Sequence, residues 1–239
     1  GIDIVLIGEA FTDVDIATGY YKQVMEFAME SFFAIEPTKS YREYFNVHMV
    51  YAVSRDAYIG AFDSGGQTAL GVQTENSRQW FYIYTAQQRL ESYYRLPVLA
   101  YERPVHSVGI VINGVKGGVT YMREPISGPN FAFTGYVYGG RKMSMGTFIH
   151  ETAGHAFGLL GDEYSTSGFD PGQPFEIPDY EATSLRNEQK KGWYLNLSLT
   201  SDPKSVYWAH LIGHPRYPYV GVLQGGYYYA FGVWRSESY

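Results

Sequence analysis

The chain has 239 residues, 45% of them hydrophobic, with 24 acidic and 18 basic side chains, a formal net charge of −6 and no cysteine. This is a globular composition, sized for one large domain or two small ones, and it excludes a disordered chain. The acidic balance, with no Lys/Arg cluster, argues against a nucleic-acid surface. The missing thiols exclude disulfides and thiolate ligands, so a metal site here must use His, Asp, Glu or Tyr.

In chain order, IDIVLIGEAF (2–11) reads as a buried strand. Ile16, Tyr20, Val24, Phe27, Ala28 and Phe32 recur at helical spacing and predict one amphipathic helix ending near Pro37. NVHMVYAVS (46–54) is a second strand and HSVGIVINGV (106–115) a third, central one. Strand, helix and strand in this order predict an α/β layer. Residues 60–85, rich in Gly, Ser, Gln and Thr, read as a long surface excursion, followed by a short helix at 86–96. FAFTGYVY (131–138) is an edge-strand candidate, and 165–180, with its Gly and Pro residues, is irregular. VGVLQGGYYYAFGVW (220–234) is aromatic and glycine-rich. No linker separates two domains, and no apolar run is long enough to span a bilayer. No signal peptide is in view, and the chain begins at Gly1, as a mature or trimmed fragment would.

The chemistry concentrates in GTFIHETAGHAFGLLGDEY (146–164). Two imidazoles that share an ion must lie on one face, with a carboxylate beside them to take a proton from water. Histidines four apart on an α-helix do so; His150 and His155 are five apart, which is about 140° of rotation. A π-bulge absorbs one extra residue and restores the shared face. The sequence therefore predicts an overstuffed turn around Thr152–Gly154, with Gly154 easing the distortion. Asp162, seven residues after His155, would lie roughly 10.5 Å further along a straight helix. It can serve as third ligand only if the chain turns back, which Gly158 and Gly161 would permit. Glu163 is the next candidate, and His210, His214, Asp179 and Glu181 are distant alternatives.

HAFGLLGDEY resembles the second half of the zinc motif of the IgA-peptidase family M64, which reads roughly His-Glu-x-Gly-His followed by a run ending in Asp-Glu-Tyr. IDIVLIGEAFT, YFNVHMVYAVS, YLNLSLTSDPKSVYWAHLI (194–212) and VGVLQGGYYYAFGVWRSE (220–237) resemble further parts of the family. The resemblance implies a zincin-like α/β (α+β) fold, with a mixed β-sheet packed on helices and an active-site helix carrying the metal ligands. It implies a single metallopeptidase catalytic domain over 1–239, in which 60–100 reads as an insertion. The implied activity is that of an endopeptidase with one catalytic zinc ion, acting on protein or peptide substrates. Carried over, His150 and His155 are metal ligands, Glu151 is the general base and Asp162 the third ligand.

Two departures stand out. The extra residue between the histidines is similar to the HExxxH arrangement of dipeptidyl peptidase III. Gln224 stands where many relatives carry Glu before the Gly pair. The chain also stops at Tyr239 where relatives continue. Tyr164 and the run Tyr227, Tyr228, Tyr229 are candidates to steady an oxyanion or contact substrate, Tyr164 and Tyr228 foremost. The family setting implies a secreted, periplasmic or cell-surface bacterial protein. Other readings are a catalytically silent binding or adhesion domain of zincin fold, and a calcium site in DEYSTSGFDPG (162–172). Asn196-Leu197-Ser198 forms a glycosylation sequon.

Overall fold

Strand β1 (Ile2–Glu9) is buried from Asp3 to Glu9, as befits a parallel strand covered on both faces. The structure, a computed structural model, describes residues 1–61, 66–74, 81–82, 86–115, 117–123, 128–136, 145–167, 172 and 174–237. After β1 the chain forms α1 (Asp13–Ala17), opened by a Thr12–Asp15 capping box, and α2 (Tyr20–Phe32). The single helix predicted across 16–32 is thus two. Gly19, at φ 80°, takes the left-handed turn that separates them.

β2 (Phe45–Val50) follows, then three short strands that make a small sheet of their own: β3 (Gly60–Ala61), β4 (Gln73–Thr74) and β5 (Phe81–Tyr82). α3 (Ala86–Tyr94), β6 (Val105–Asn113), β7 (Gly118–Tyr121) and β8 (Asn130–Tyr136) come next. The main sheet has the order β2-β1-β6-β8-β7, parallel throughout except for β7. The class is therefore mixed α/β, built on a mixed sheet.

The sequence places FAFTGYVY (131–138) at an edge; residues 137–138 lie outside the described residues. Instead β8 lies inside the sheet with six of its seven residues buried, and β7, from the glycine-rich stretch before it, forms the edge. Residues 66–74 also differ from the predicted surface excursion. Leu70 and Val72 are buried in the core. The buried Glu9 carboxylate fastens this segment, accepting from Thr68 Oγ1 at 2.6 Å and from the Leu70 and Val72 amides at 2.9 Å each. Burial raises the Glu9 carboxyl above its ordinary value, and those hydrogen bonds work against the rise. Residues 62–65, 75–80 and 83–85 of the predicted excursion lie outside the described residues.

Alternation along β1 gives the sheet two dry faces. Val5 and Ile7 join Val108, Ile110, Leu90 and Tyr94 on one. Ile4 and Leu6 join Val111, Phe148 and the α2 residues Tyr21, Val24, Met25, Ala28 and Phe32 on the other. α4 (Met145–Phe148) packs on this second face and runs directly into a π-helix, Ile149–Phe157. These elements make up one compact unit, Gly1–Gly158. A second unit, Leu159–Tyr239, holds α5 (Asp179–Lys190) and a sheet of β9 (Leu197–Ser198), β10 (Leu223–Gly226) and β11 (Tyr229–Arg235) in the order β10-β11-β9. Its core is Leu185, Leu197, Tyr229 and Val233.

Candidate metal centre

The five-residue spacing of His150 and His155 asks for one extra residue in one turn. The structure answers with a wider device: all nine residues of IHETAGHAF are wound as a π-helix, closed by a Gly158 amide to Ala153 carbonyl bond of 2.9 Å. This winding brings the two imidazoles together. The Nε2 atoms of His150 and His155 are 2.9 Å apart, with ring centroids at 4.4 Å and planes at 80°. Two ligands of a tetrahedral ion at about 2.0–2.1 Å sit about 3.3 Å from each other, so the pair is within a few tenths of an ångström of that spacing. Two converging imidazole nitrogens in a chain without thiols are a donor set that suits zinc.

Gly154 plays a smaller part than predicted. A Cβ there would meet nothing nearer than the Ile149 carbonyl at 3.7 Å, an ordinary contact. The π-helix itself leaves the room. Gly154→Ala is therefore expected to raise stability by about 0.4–1 kcal/mol through the unfolded chain, checked by chemical denaturation.

Glu151 is 7% exposed and is held from β7. Thr120 Oγ1 lies 2.7 Å from its Oε2 and 2.9 Å from its main-chain carbonyl. Gly118, two residues earlier on the same strand face, makes the approach possible. A Cβ at 118 would stand 2.6 Å from Glu151 Cγ, 2.8 Å from its Oε1 and 2.9 Å from Thr147 Cγ2. Gly109 on β6 gives the helix similar clearance, since a Cβ there would press on Thr152 Cγ2 at 3.3 Å and Phe148 at 3.4 Å. Asn130, at the start of β8, donates to the Ala156 carbonyl at 2.9 Å and so satisfies a group that the helix end leaves open. None of Thr120, Gly118 and Asn130 was singled out from sequence; the polar–apolar alternation in GVTY was the available signal.

The helix stops at Gly158, as expected, but Gly158 keeps right-handed dihedrals, and the left-handed residue is Leu159 at φ 56°. In the second unit the Asp162 segment is pinned on two sides. Gly161 exchanges a pair of 2.8 Å hydrogen bonds with the Asn196 side-chain amide, as two strands would. A Cβ at Gly161 would run into Leu197 Cδ1 at 2.6 Å, so this contact requires glycine. The Asp162 carbonyl accepts from the Tyr227 amide at 2.7 Å, and its carboxylate accepts the Tyr228 hydroxyl. The sequon asparagine thus spends its amide on the chain beside Asp162. Tyr164 is 45% exposed and meets the Tyr228 ring edge-on at 5.5 Å.

Glu163 lines a cleft of about 420 Å³ with Tyr164, Ser165, Gln224 and Arg235. Arg235 Nη1 caps the Gln224 and Gly225 carbonyls at 2.7 and 2.6 Å. Among the described residues, Glu163, Asp179, Glu181, His210 and His214 join no group of three side chains able to hold a metal. The 162–172 stretch forms no such group by itself either, so the calcium expectation has no support; residues 168–171 lie outside the described residues.

The model of the family described as IgA Peptidase M64 matches residues 1–220 of the 239. The chain belongs to the IgA Peptidase M64 family. No curated protein matches it. The M64 match takes in the whole main sheet, the π-helix and Asp162. It ends before β10 and β11, so Gln224 and Tyr227–Tyr229 lie beyond it. Membership makes the chain part of a peptidase family, whose substrates are proteins or peptides. No helix among the described residues is long and apolar enough to cross a membrane.

Proposed function

We propose that this M64 member is a zinc-dependent endopeptidase of zincin-like fold, with both units serving one catalytic domain. The observation that carries the proposal is the π-wound convergence of the His150 and His155 Nε2 atoms at 2.9 Å. We assign Asp162 as the third ligand. The family resemblance implies that role for Asp162, and within the second unit its carboxylate accepts the Tyr228 hydroxyl. Zinc, when bound, acidifies a water molecule and polarises a carbonyl.

The remaining steps belong to side chains of this chain. Glu151 takes the proton of the attacking water on its carboxylate and returns it to the leaving amine. Its burial and the Thr120 hydrogen bond fix the carboxylate in one orientation, so that little is lost to reorganisation. Tyr164, the more exposed of the two tyrosines beside Asp162, is assigned to the oxyanion or to substrate contact. An exported location, secreted, periplasmic or at the cell surface, belongs to the same proposal and rests on the resemblance described above.

The test is metal analysis beside an activity assay. Purified protein is expected to carry one zinc per chain and to cleave casein. The activity should stop with chelator and return with zinc. His150→Ala is expected to carry none. Wild-type protein that binds no zinc would contradict the proposal and favour the silent binding domain.

A further inference from the structure

The turn that presents Tyr228 has an unusual backbone. Gly225, Gly226, Tyr227 and Tyr228 all have positive φ, at 92°, 157°, 51° and 72°. Two consecutive tyrosines in the left-handed region are disfavoured, and such conformations persist only where the surroundings enforce them. Here they do. The Tyr227 amide donates to the Asp162 carbonyl at 2.7 Å and the Tyr228 amide to the Tyr164 carbonyl at 3.0 Å. The Tyr228 carbonyl accepts from the Thr166 amide and from Ser167 Oγ, both at 3.1 Å. The left-handed turn sets the Tyr228 hydroxyl on Asp162 Oδ2.

We propose that Tyr228 is a positioning residue for the metal site, its hydroxyl orienting the Asp162 carboxylate as a ligand. This rests on the zinc reading above and changes the part that Tyr228 plays in it. A phenol committed to a ligand carboxylate is not the donor that meets a substrate oxyanion. Residues that hydrogen-bond to metal ligands fix the ligand's orientation and typically carry 10–100-fold in affinity. Tyr228 lies beyond the residues matched by the family model, so the assignment comes from this chain's own structure.

The experiment is zinc affinity of the full chain, measured by competition with a chromophoric chelator, with the melting temperature of the zinc-free protein alongside. Tyr228→Phe keeps the ring and removes the hydroxyl. It is expected to bind zinc about 10–100-fold more weakly, with an unchanged melting temperature. Tyr227→Phe removes a hydroxyl from the same turn and leaves the Tyr228–Asp162 bond, so it is expected to bind as the parent does. Unchanged affinity in Tyr228→Phe, or an equal loss in Tyr227→Phe, overturns the inference. His150→Ala separates it from the zinc reading: if that variant binds zinc like the parent, the reading itself fails.

Discussion

Glu151→Ala is expected to retain one zinc per chain while peptide hydrolysis falls by about 10²–10⁴-fold, the range for loss of a positioned general base. The imidazoles do not depend on the carboxylate for their convergence; the π-helix sets it. The fold should tolerate the change as well. Thr120 Oγ1 loses the carboxylate but keeps the residue-151 carbonyl at 2.9 Å, so no buried hydroxyl is stranded. Zinc stoichiometry together with the rate on casein reads both halves of the expectation. Full activity in Glu151→Ala would remove Glu151 from the mechanism.

Gly118→Ala is the second large effect, and it acts from another element. The added methyl would stand 2.6 Å from Glu151 Cγ, a separation that real carbon atoms do not adopt, so the carboxylate must leave its place beside Thr120. Displacing a reacting group by about 1 Å can cost 10²-fold in rate, and overpacking of this kind costs about 1–3 kcal/mol of stability. Zinc binding should survive, because the histidines are not among the groups displaced. In the double variant with Glu151→Ala the stability cost should shrink, leaving the 2.9 Å contact with the Thr147 methyl. Urea unfolding of the four proteins gives the coupling. An unchanged rate in Gly118→Ala would show that Glu151 is not held from β7.

What was legible in the sequence was what local pattern carries. β1 and β6 carry the apolar runs IVLIG (4–8) and VGIVI (108–112), and both lie inside the sheet. The i, i+5 spacing of His150 and His155 is a winding problem with few solutions, and it predicts π winding, though of a single turn and not of nine residues. Long-range partners were not legible. Thr120 meets Glu151 across 31 residues, where the π-helix packs on β7, and Tyr228 meets Asp162 across 66; no local pattern encodes either contact. Glycines were read by the wrong property. Gly154 and Gly158 drew attention for conformational freedom, yet neither has a positive φ. Gly118 and Gly161 matter because a side chain would collide there, and collision depends on what packs opposite. β8 was misplaced for a related reason. Its inner place depends on β7, which pairs beyond it and has no strong strand pattern of its own.

The central claim is that a π-wound helix builds a zinc site from histidines five apart. Anomalous diffraction at the zinc absorption edge, on crystals of the full chain, tests it most directly. The account predicts one peak about 2.0–2.2 Å from the Nε2 atoms of His150 and His155, with an Asp162 carboxylate oxygen as the remaining protein ligand. No peak at the two histidines, or a regular α-helix through residues 150–157, would contradict it.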